Sequence, residues 1–451
     1  MKKKTVLSPA QVILFGFIGV ILVGAMLLML PISSRTGDVT SPLTAFFTAT
    51  SATCVTGLIV VDTFTHWSGF GQVIILLLIQ IGGLGIMTIA SLLSFFLRRN
   101  ISFKERMLMS QSLSLLDMAG VVRITKHAII ATLTIEAAGA LILSARFIKD
   151  FGILGGIAKG IFHSVSAFCN AGFDLMGQIE PFIGITPYVS DITVTVTIGL
   201  LIIIGGLGFF VWEDIYRMLT KKTKLTLYTK LVLVMTGALV VVGAILIFIF
   251  EHNNPATLGG LDTKGQVLGS FFQSVTPRTA GYNTISQAGM TSDSKFITVL
   301  LMFIGGSSGS TAGGIKTVTF GLLIIAIWQV SKGRRQIVIR GKSISNENIL
   351  RATAIAGIAL FLTVSSAMII YIAEGGAVSF SEAIFETFSA FGTVGLTLGI
   401  TPELSVISKL VLATLMIMGR VGILTVTYSI VLKFDKTQNK INYPEGKVLI
   451  G

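Results

Sequence analysis

The sequence predicts an all-α membrane protein of eight transmembrane helices and four shorter, re-entrant ones, arranged as four copies of one unit. Three observations carry this. The 451 residues are 52% hydrophobic and only 12% charged, about half the charged fraction of a water-soluble domain. Eight apolar stretches have the length of roughly 20 residues needed to cross ~30 Å of hydrocarbon. A short apolar segment closed by a glycine recurs four times at nearly constant spacing.

This composition excludes a soluble enzyme, a disordered scaffold and a nucleic-acid binder, so the net charge of +13 is read for its distribution across a bilayer. The eight stretches are 10–30, 71–97, 128–145, 192–212, 231–250, 296–328, 352–373 and 410–432. The first follows Lys2, Lys3 and Lys4 but is too long for the apolar core of a signal peptide and precedes no small-residue cleavage site, so it reads as a retained helix. Five stretches carry no charge, and the others carry one each, Glu136, Lys316 and Arg420.

Of the 34 lysines and arginines, 24 fall in the N-terminus, 98–126, 217–230, 332–351 and 433–451, against seven in the intervening segments. Basic residues concentrate in cytoplasmic loops, which puts both termini in the cytoplasm and makes the chain multi-pass. Of the 21 acids, 13 fall on the opposite side, and an acidic outer face concentrates cations.

The repeated segments read FFTATSATCVTGL (46–58), IFHSVSAFCNAGF (161–173), FFQSVTPRTAGY (271–282) and IFETFSAFGTVGL (384–396). Their closing glycines, Gly57, Gly172, Gly281 and Gly395, are spaced by 115, 109 and 114 residues. A second mark recurs in the helix that follows: Gly82-Gly83, Gly205-Gly206, Gly305-Gly306 and Gly419. Two marks in register define repeats over 1–103, 104–222, 223–344 and 345–451, the last with a cytoplasmic tail.

A 12-residue helix is roughly 18 Å long and crosses about half the hydrocarbon, so it enters and returns on one side. Irregular backbone at that depth is tolerated only where protein buries it or where it lines water. Four such pore helices around one axis present a ring of backbone carbonyls, which can replace a cation's hydration shell without charged side chains. Close helix packing is the other use of glycine in membranes. For the paired glycines both readings stand, whereas packing alone leaves the repeated short helix, turn and glycine unexplained.

Residues 305–314 contain five glycines and four Ser or Thr, a composition that cannot hold a stable helix because each glycine costs about 1 kcal/mol. The expectation is a break lying across the pore below the ring. The stretch misses the phosphate-binding GxxxxGK[ST] pattern because Ile315 separates Gly314 from Lys316. Arg420, deep in its helix, is expected to face the cavity under the ring and to raise the barrier to cations or hydrogen-bond the loop, with a structural clamp on carbonyls as the alternative; Lys316 would pair with a carbonyl or reach inward. Glu136 has two readings, a coupling-ion site or a carboxyl hydrogen-bonded to a neighbouring helix. Cys54 and Cys169 each lie three residues before their closing glycine, which suggests small-residue packing behind the loop rather than a disulfide.

With these motifs in view, the chain resembles the Trk/Ktr/HKT superfamily of potassium transporters, most specifically in SVTPRTAGYNT (274–284), HSVSAFCNAGF (163–173) and GGSSGSTAGGIKT (305–317). Eight helices with a short N-terminus look like the Ktr membrane subunits of the KtrB and KtrD type. The resemblance implies potassium as the transported ion with no bound cofactor, and a selectivity filter of potassium-binding carbonyls at Val55, Thr56, Gly57, Asn170, Ala171, Gly172, Thr279, Ala280, Gly281, Thr393, Val394 and Gly395. It gives Gly305, Gly306, Ser307, Ser308, Gly309, Ser310, Thr311, Ala312, Gly313 and Gly314, with Lys316 and Arg420, the role of an intramembrane gate. In the plant branch a serine at the first filter glycine goes with sodium permeation, and Gly57 therefore favours potassium. The third loop is one residue shorter than the second, so the four strands are not expected to be strictly equivalent.

The resemblance further implies a homodimer in the cell membrane, one pore per chain, seated on a cytosolic ring of nucleotide-binding subunits. The alternative is a proton- or sodium-coupled symporter working at Glu136. Such transporters are commonly built from inverted repeats, whereas the four repeats here run in one orientation.

Overall fold

The computed structural model describes residues 8–85, 121–334 and 336–423. Lys2 to Lys4, the ends of two expected stretches (86–97 and 424–432), most of the basic segment 98–126 and the tail 433–451 lie outside the described residues.

The elements fall into four groups of the same order: a long helix, a short helix and a second helix. The first group is α1 (Pro9–Met29), α2 (Pro42–Thr53), the single turn α3 (Thr63–His66) and α4 (Gly69–Leu84). The second is α5 (Val121–Phe168), α6 (Ile192–Leu207) and α7 (Phe209–Lys221). The third is α8 (Leu227–Glu251), α9 (Thr263–Val275), α10 (Ser292–Phe303) and α11 (Thr317–Ser331). A hairpin of β1 (Val338–Ile339) and β2 (Lys342–Ser343), paired antiparallel, leads to the fourth: α12 (Asn346–Ala373), α13 (Phe380–Gly392) and α14 (Val406–Val421). α5 merges a long and a short helix, because Gly152 interrupts it with φ 72° and ψ 176°.

Among the described residues four helices, α1, α5, α8 and α12, are long and apolar enough to cross a membrane. The second helix of each group departs from the continuous span expected of it. α4, α6 and α14 stop at Gly85, Gly208 and Gly422, whose φ values of 82°, 91° and 92° a right-handed helix cannot accommodate. At Gly208 the axis turns by 95° into α7. The third is broken between α10 and α11 by residues 304–316.

In lipid, apolar surface gains nothing from leaving the solvent, so helices associate through close packing and interhelical hydrogen bonds. The far ends of each group are tied in that way. Ser68 N–H, at the cap of α4, donates to Ser33 O beyond α1 (2.9 Å). Arg146 Nε on α5 donates to Asp191 Oδ2, the cap of α6 (2.5 Å). Glu251 Oε1, ending α8, accepts from Thr291 N–H (2.9 Å) and Thr291 Oγ1 (2.7 Å), the cap of α10. Glu374 Oε1, capping α12, accepts from Ser405 N–H (2.9 Å) and Ser408 Oγ (2.5 Å) at the start of α14.

Between groups, each second helix packs on the short helix of the next: α4 on α5, α6 on α9, α10 on α13 and α14 back on α2. The chain therefore runs once around a closed ring. Within a group, small residues let the second helix approach the end of its own short helix. A β-carbon on Gly205 would strike Phe168 O, and one on Gly419 would strike Phe391 O, each the carbonyl of a short helix's last turn.

Candidate functional site

Each short helix ends in the same turn. Two residues before the closing glycine the backbone is left-handed at a residue that is not glycine: Val55 (φ 55°), Asn170 (φ 60°), Thr279 (φ 70°) and Thr393 (φ 50°). Gly57, Gly172, Gly281 and Gly395 follow with φ of 93°, 69°, 80° and 91°. The residues between, Thr56, Ala171, Ala280 and Val394, are not left-handed. Left-handed backbone costs a residue bearing a β-carbon about 1–2 kcal/mol, so four such residues persist only because their surroundings impose them.

Those surroundings are hydrogen bonds back to the helix end. Thr56, Ala171 and Val394 N–H donate to Ser51, Ser166 and Ser389 O at 2.8, 2.7 and 2.8 Å. Gly57 and Gly395 N–H donate to the hydroxyls of Ser51 (3.0 Å) and Ser389 (3.1 Å). Ser166 Oγ and Thr276 Oγ1 donate instead to Phe173 O (2.8 Å) and Tyr282 O (2.5 Å). In the shorter third loop Ala280 N–H closes on Thr276 O (2.9 Å), four residues back rather than five. The missing residue is thus taken up at the helix end, and residues 279–281 keep the alternation of hand found in the other three.

The four turns meet in order. A β-carbon on Gly57 would lie 2.5 Å from Ala171 O and 3.1 Å from Gly172 Cα, and one on Gly172 would lie 2.6 Å from Ala280 O and 2.8 Å from Gly281 Cα. On Gly281 it would strike Val394 O, and on Gly395 it would strike Thr56 O. Each glycine therefore leaves room for the carbonyl that precedes the next group's glycine, and the sequence 57, 172, 281, 395 closes on itself. The ring's residues are buried apart from half-buried Gly281. The C-termini of the short helices lead into these turns, and a helix C-terminus carries roughly half a negative charge, which favours cations at the ring.

On three of the four short helices a polar side chain one turn further back secures the chain leaving the ring, a feature the sequence reading missed. Glu386 accepts from Thr397 Oγ1 (2.6 Å), Leu398 N–H (3.0 Å) and Thr401 Oγ1 (2.8 Å). His163 Nε2 accepts from Leu175 N–H (3.4 Å), and Gln273 exchanges two bonds with Gln287 (2.9 and 3.0 Å). The corresponding Thr48 hydroxyl has no partner. Counting nine residues back from Gly57, Gly172 and Gly395, and eight from Gly281, would have found all four.

Residues 305–314 lie directly against the ring's underside. Thr311 Oγ1 donates to Phe168 O (3.2 Å), the last residue of α5, and a β-carbon on Gly313 would strike the side chain of Thr393. The loop also pairs with the break between α6 and α7: Ser307 N–H donates to Gly206 O (2.9 Å), and Phe209 N–H donates to Gly309 O (2.9 Å). Tyr228 OH donates to Ser308 O (3.1 Å). Within the loop Ser310 Oγ donates to Ser307 O (2.7 Å), and Lys316 Nζ donates to Ala312 O (2.8 Å). Arg420 bonds Thr311 O through Nη1, and through Nη2 Gly82 O and Gly83 O (3.0 Å for the last). It thereby joins the loop to the end of α4.

Gly83, one of the paired glycines for which the sequence leaves pore lining and packing open, packs on the back of the ring, with a β-carbon 2.6 Å from Cys169 Sγ. Cys54 and Cys169 are buried and free. Glu136 is buried, with Oε2 accepting from Gln80 Nε2 of α4 (3.2 Å) and its main-chain oxygen accepting from Ser164 Oγ (2.7 Å).

A family described as "TrkH: Cation transport protein" matches residues 10–440. The chain belongs to this family. TrkH-family membership bears out the resemblance drawn from the motifs and makes this a multi-pass membrane transporter rather than an enzyme. The chain is 42% identical over 447 residues to the potassium/sodium uptake protein NtpJ of Enterococcus hirae, spanning 99% of this chain and 98% of that one. It is 42% identical over 448 residues to the Ktr system potassium uptake protein B of Bacillus subtilis, spanning 98% and 97%. The crystal structure of the potassium transporter TrkH from Vibrio parahaemolyticus matches with a TM-score of 0.71 over 97% of this chain and 87% of that one, at 17% identity. That likeness is one of fold.

Proposed function

We propose that this chain takes up potassium across the cell membrane through a single pore whose selectivity filter is the ring of backbone carbonyls at 55–57, 170–172, 279–281 and 393–395. The observation that carries the reading is the closure of four glycine turns on one another. Carbonyl dipoles aimed at one axis substitute for a hydration shell, and the absence of side chains at the glycines lets the strands approach closely enough to do so. The names of the relatives, potassium with sodium in one and potassium in the other, support potassium as a transported ion.

On this reading the chain has eight membrane spans and four re-entrant pore helices. The units are 1–103, 104–222, 223–344 and 345–451, and both termini are cytoplasmic. Residues 305–314, with Lys316 and Arg420, form the gate. Its contacts with the ring's underside support this role, as does the Arg420 clamp that holds it there. The chain works as a homodimer with a cytosolic nucleotide-binding ring, in keeping with the word "system" in the names of its Ktr relatives. Coupled symport at Glu136 is the competing mechanism, and the bond from Gln80 supports a structural role for that carboxyl instead.

The test is rubidium flux into proteoliposomes carrying the purified chain. Exchange without a proton or sodium gradient, blocked by excess potassium, is the expected result. Uptake that strictly requires a proton gradient would overturn the pore in favour of symport.

A further inference from the structure

Arg278 is a buried cation that the pore reading leaves unused. It lies three residues before Gly281, where the other units have Cys54, Cys169 and Gly392. Only 7% of it is exposed, and among the described residues no carboxylate forms an ion pair with it. Guanidinium carries five N–H donors. Here Nε has no partner, and Nη2 donates to Thr317 Oγ1 at 3.3 Å.

Thr317 is the knot that joins the two sides of the helix break. Its hydroxyl donates to Gly305 O (2.8 Å) and its N–H donates to Gly306 O (3.0 Å), while Gly305 N–H donates to Ile315 O (2.8 Å). Ile304 and Ile315 are bridged in parallel beside it. The charged residue thus occurs in the loop of the unit whose second helix, among the described residues, is broken over a long segment, and its hydrogen bond runs to the base of that segment. Residues 305–314 cannot shift as a body without disturbing Gly305 or Thr317. Loss of the Thr317 hydroxyl would strand a buried cation, which is expensive unless the cation moves. Moving Arg278 would pull on Thr279, the left-handed residue next to it.

We propose that Arg278 is a positioning residue that couples the third filter loop to the intramembrane loop through the Thr317 hydroxyl. The proposal rests on the reading of the ring as a filter and of 305–314 as a gate. Displacement of the gate reaches the filter through this contact, and the third strand keeps its conducting shape only while the guanidinium is held.

The test uses the full chain in proteoliposomes, with rubidium flux and the potassium-to-sodium ratio measured on protein shown to be folded by gel filtration. Thr317→Val, close to Thr in volume, removes the hydroxyl, and Arg278→Met removes the charge. Each is expected to change basal flux roughly 2- to 12-fold, the range for one hydrogen bond, and to lower the potassium-to-sodium ratio. The double variant should be no worse than Arg278→Met alone, because both act through one contact. Thr317→Ser should recover the wild-type ratio. A role in packing alone would leave the ratio unchanged or make the two effects multiply, and either result overturns the coupling. Should Arg278→Met fail to fold, Thr317→Val against Thr317→Ser decides alone. Gly57→Ser in the same assay separates the layers. If it degrades the ratio while Thr317→Val does not, the filter stands and the coupling falls; if neither changes the ratio, the filter reading falls with it.

Discussion

Gly395 and Thr56 touch across the seam where the chain's last group meets its first: the place of a side chain on Gly395 is taken by the Thr56 carbonyl. The same relationship links Gly57 to Ala171, Gly172 to Ala280 and Gly281 to Val394. Any side chain at a closing glycine must therefore push a neighbouring carbonyl, besides suffering a left-handed backbone.

Gly57→Ser and Gly395→Ser should each lower the potassium-to-sodium ratio about tenfold or more, since a displaced carbonyl forfeits more than the 1.4 kcal/mol that a decade represents. Gly357→Ser is the control, because nothing lies within 4 Å of that position. Wild-type ratios in both ring variants would show that the ring does not select.

Arg420→Ala leaves three carbonyls, on Thr311, Gly82 and Gly83, without their donor. Basal rubidium flux should rise, with the ratio changed far less than by Gly57→Ser. Deleting residues 307–313 should raise flux further and weaken control by a cytosolic partner. A folded deletion variant that conducts no better than the intact chain would reassign the segment as a spacer.

Topology is tested by single cysteines in a background lacking Cys54 and Cys169. Both Ser343, on β2, and Asn253, beyond α8, are exposed. An impermeant thiol reagent should label position 343 only from the cytoplasmic side and position 253 only from outside. Ser102 and the tail, also expected inside, lie outside the described residues. Labelling of position 343 from outside would contradict the proposed orientation.

Glu374 offers a pH test outside the spans. Burial pushes its carboxyl up, but the bonds from Ser408 and Ser405 and the nearby Lys409 outweigh it and hold the group below the usual carboxylate range. A depressed folded value means the contribution is present above the unfolded value of about 4.3 and is lost as pH falls through the folded one. Glu374→Gln should lower the unfolding temperature at pH 7 by about a degree, and the difference should shrink below about pH 4. A difference independent of pH would mean that charge plays no part in the tie.

How much was legible follows from what each residue type advertises. The closing glycines stood out because glycine is the residue such a turn requires. The left-handed backbone of Val55, Thr279 and Thr393 did not, because valine and threonine are among the residues least suited to it, and the hydrogen bonds back to the helix end that hold them there leave no mark in the residue types. Gly85, Gly208 and Gly422 recur three residues after Gly82, Gly205 and Gly419, yet runs scored for apolarity absorb a glycine without noticing it, and three breaks were read as continuous spans. Arg420 was legible as a misplaced charge. Its partners were not, since Gly82 lies 338 residues away in the chain.

The seam between Gly395 and Thr56 also has a meaning in time. A ribosome adding roughly 5–20 residues per second needs on the order of 17–70 s to travel from Gly57 to Gly395. For that interval the first turn is without the strand that completes it, its Val55 already needing support against a left-handed backbone. Premature termination anywhere before α13 should accordingly yield an unprotected insertion intermediate and a substrate for membrane proteolysis, not a weaker transporter.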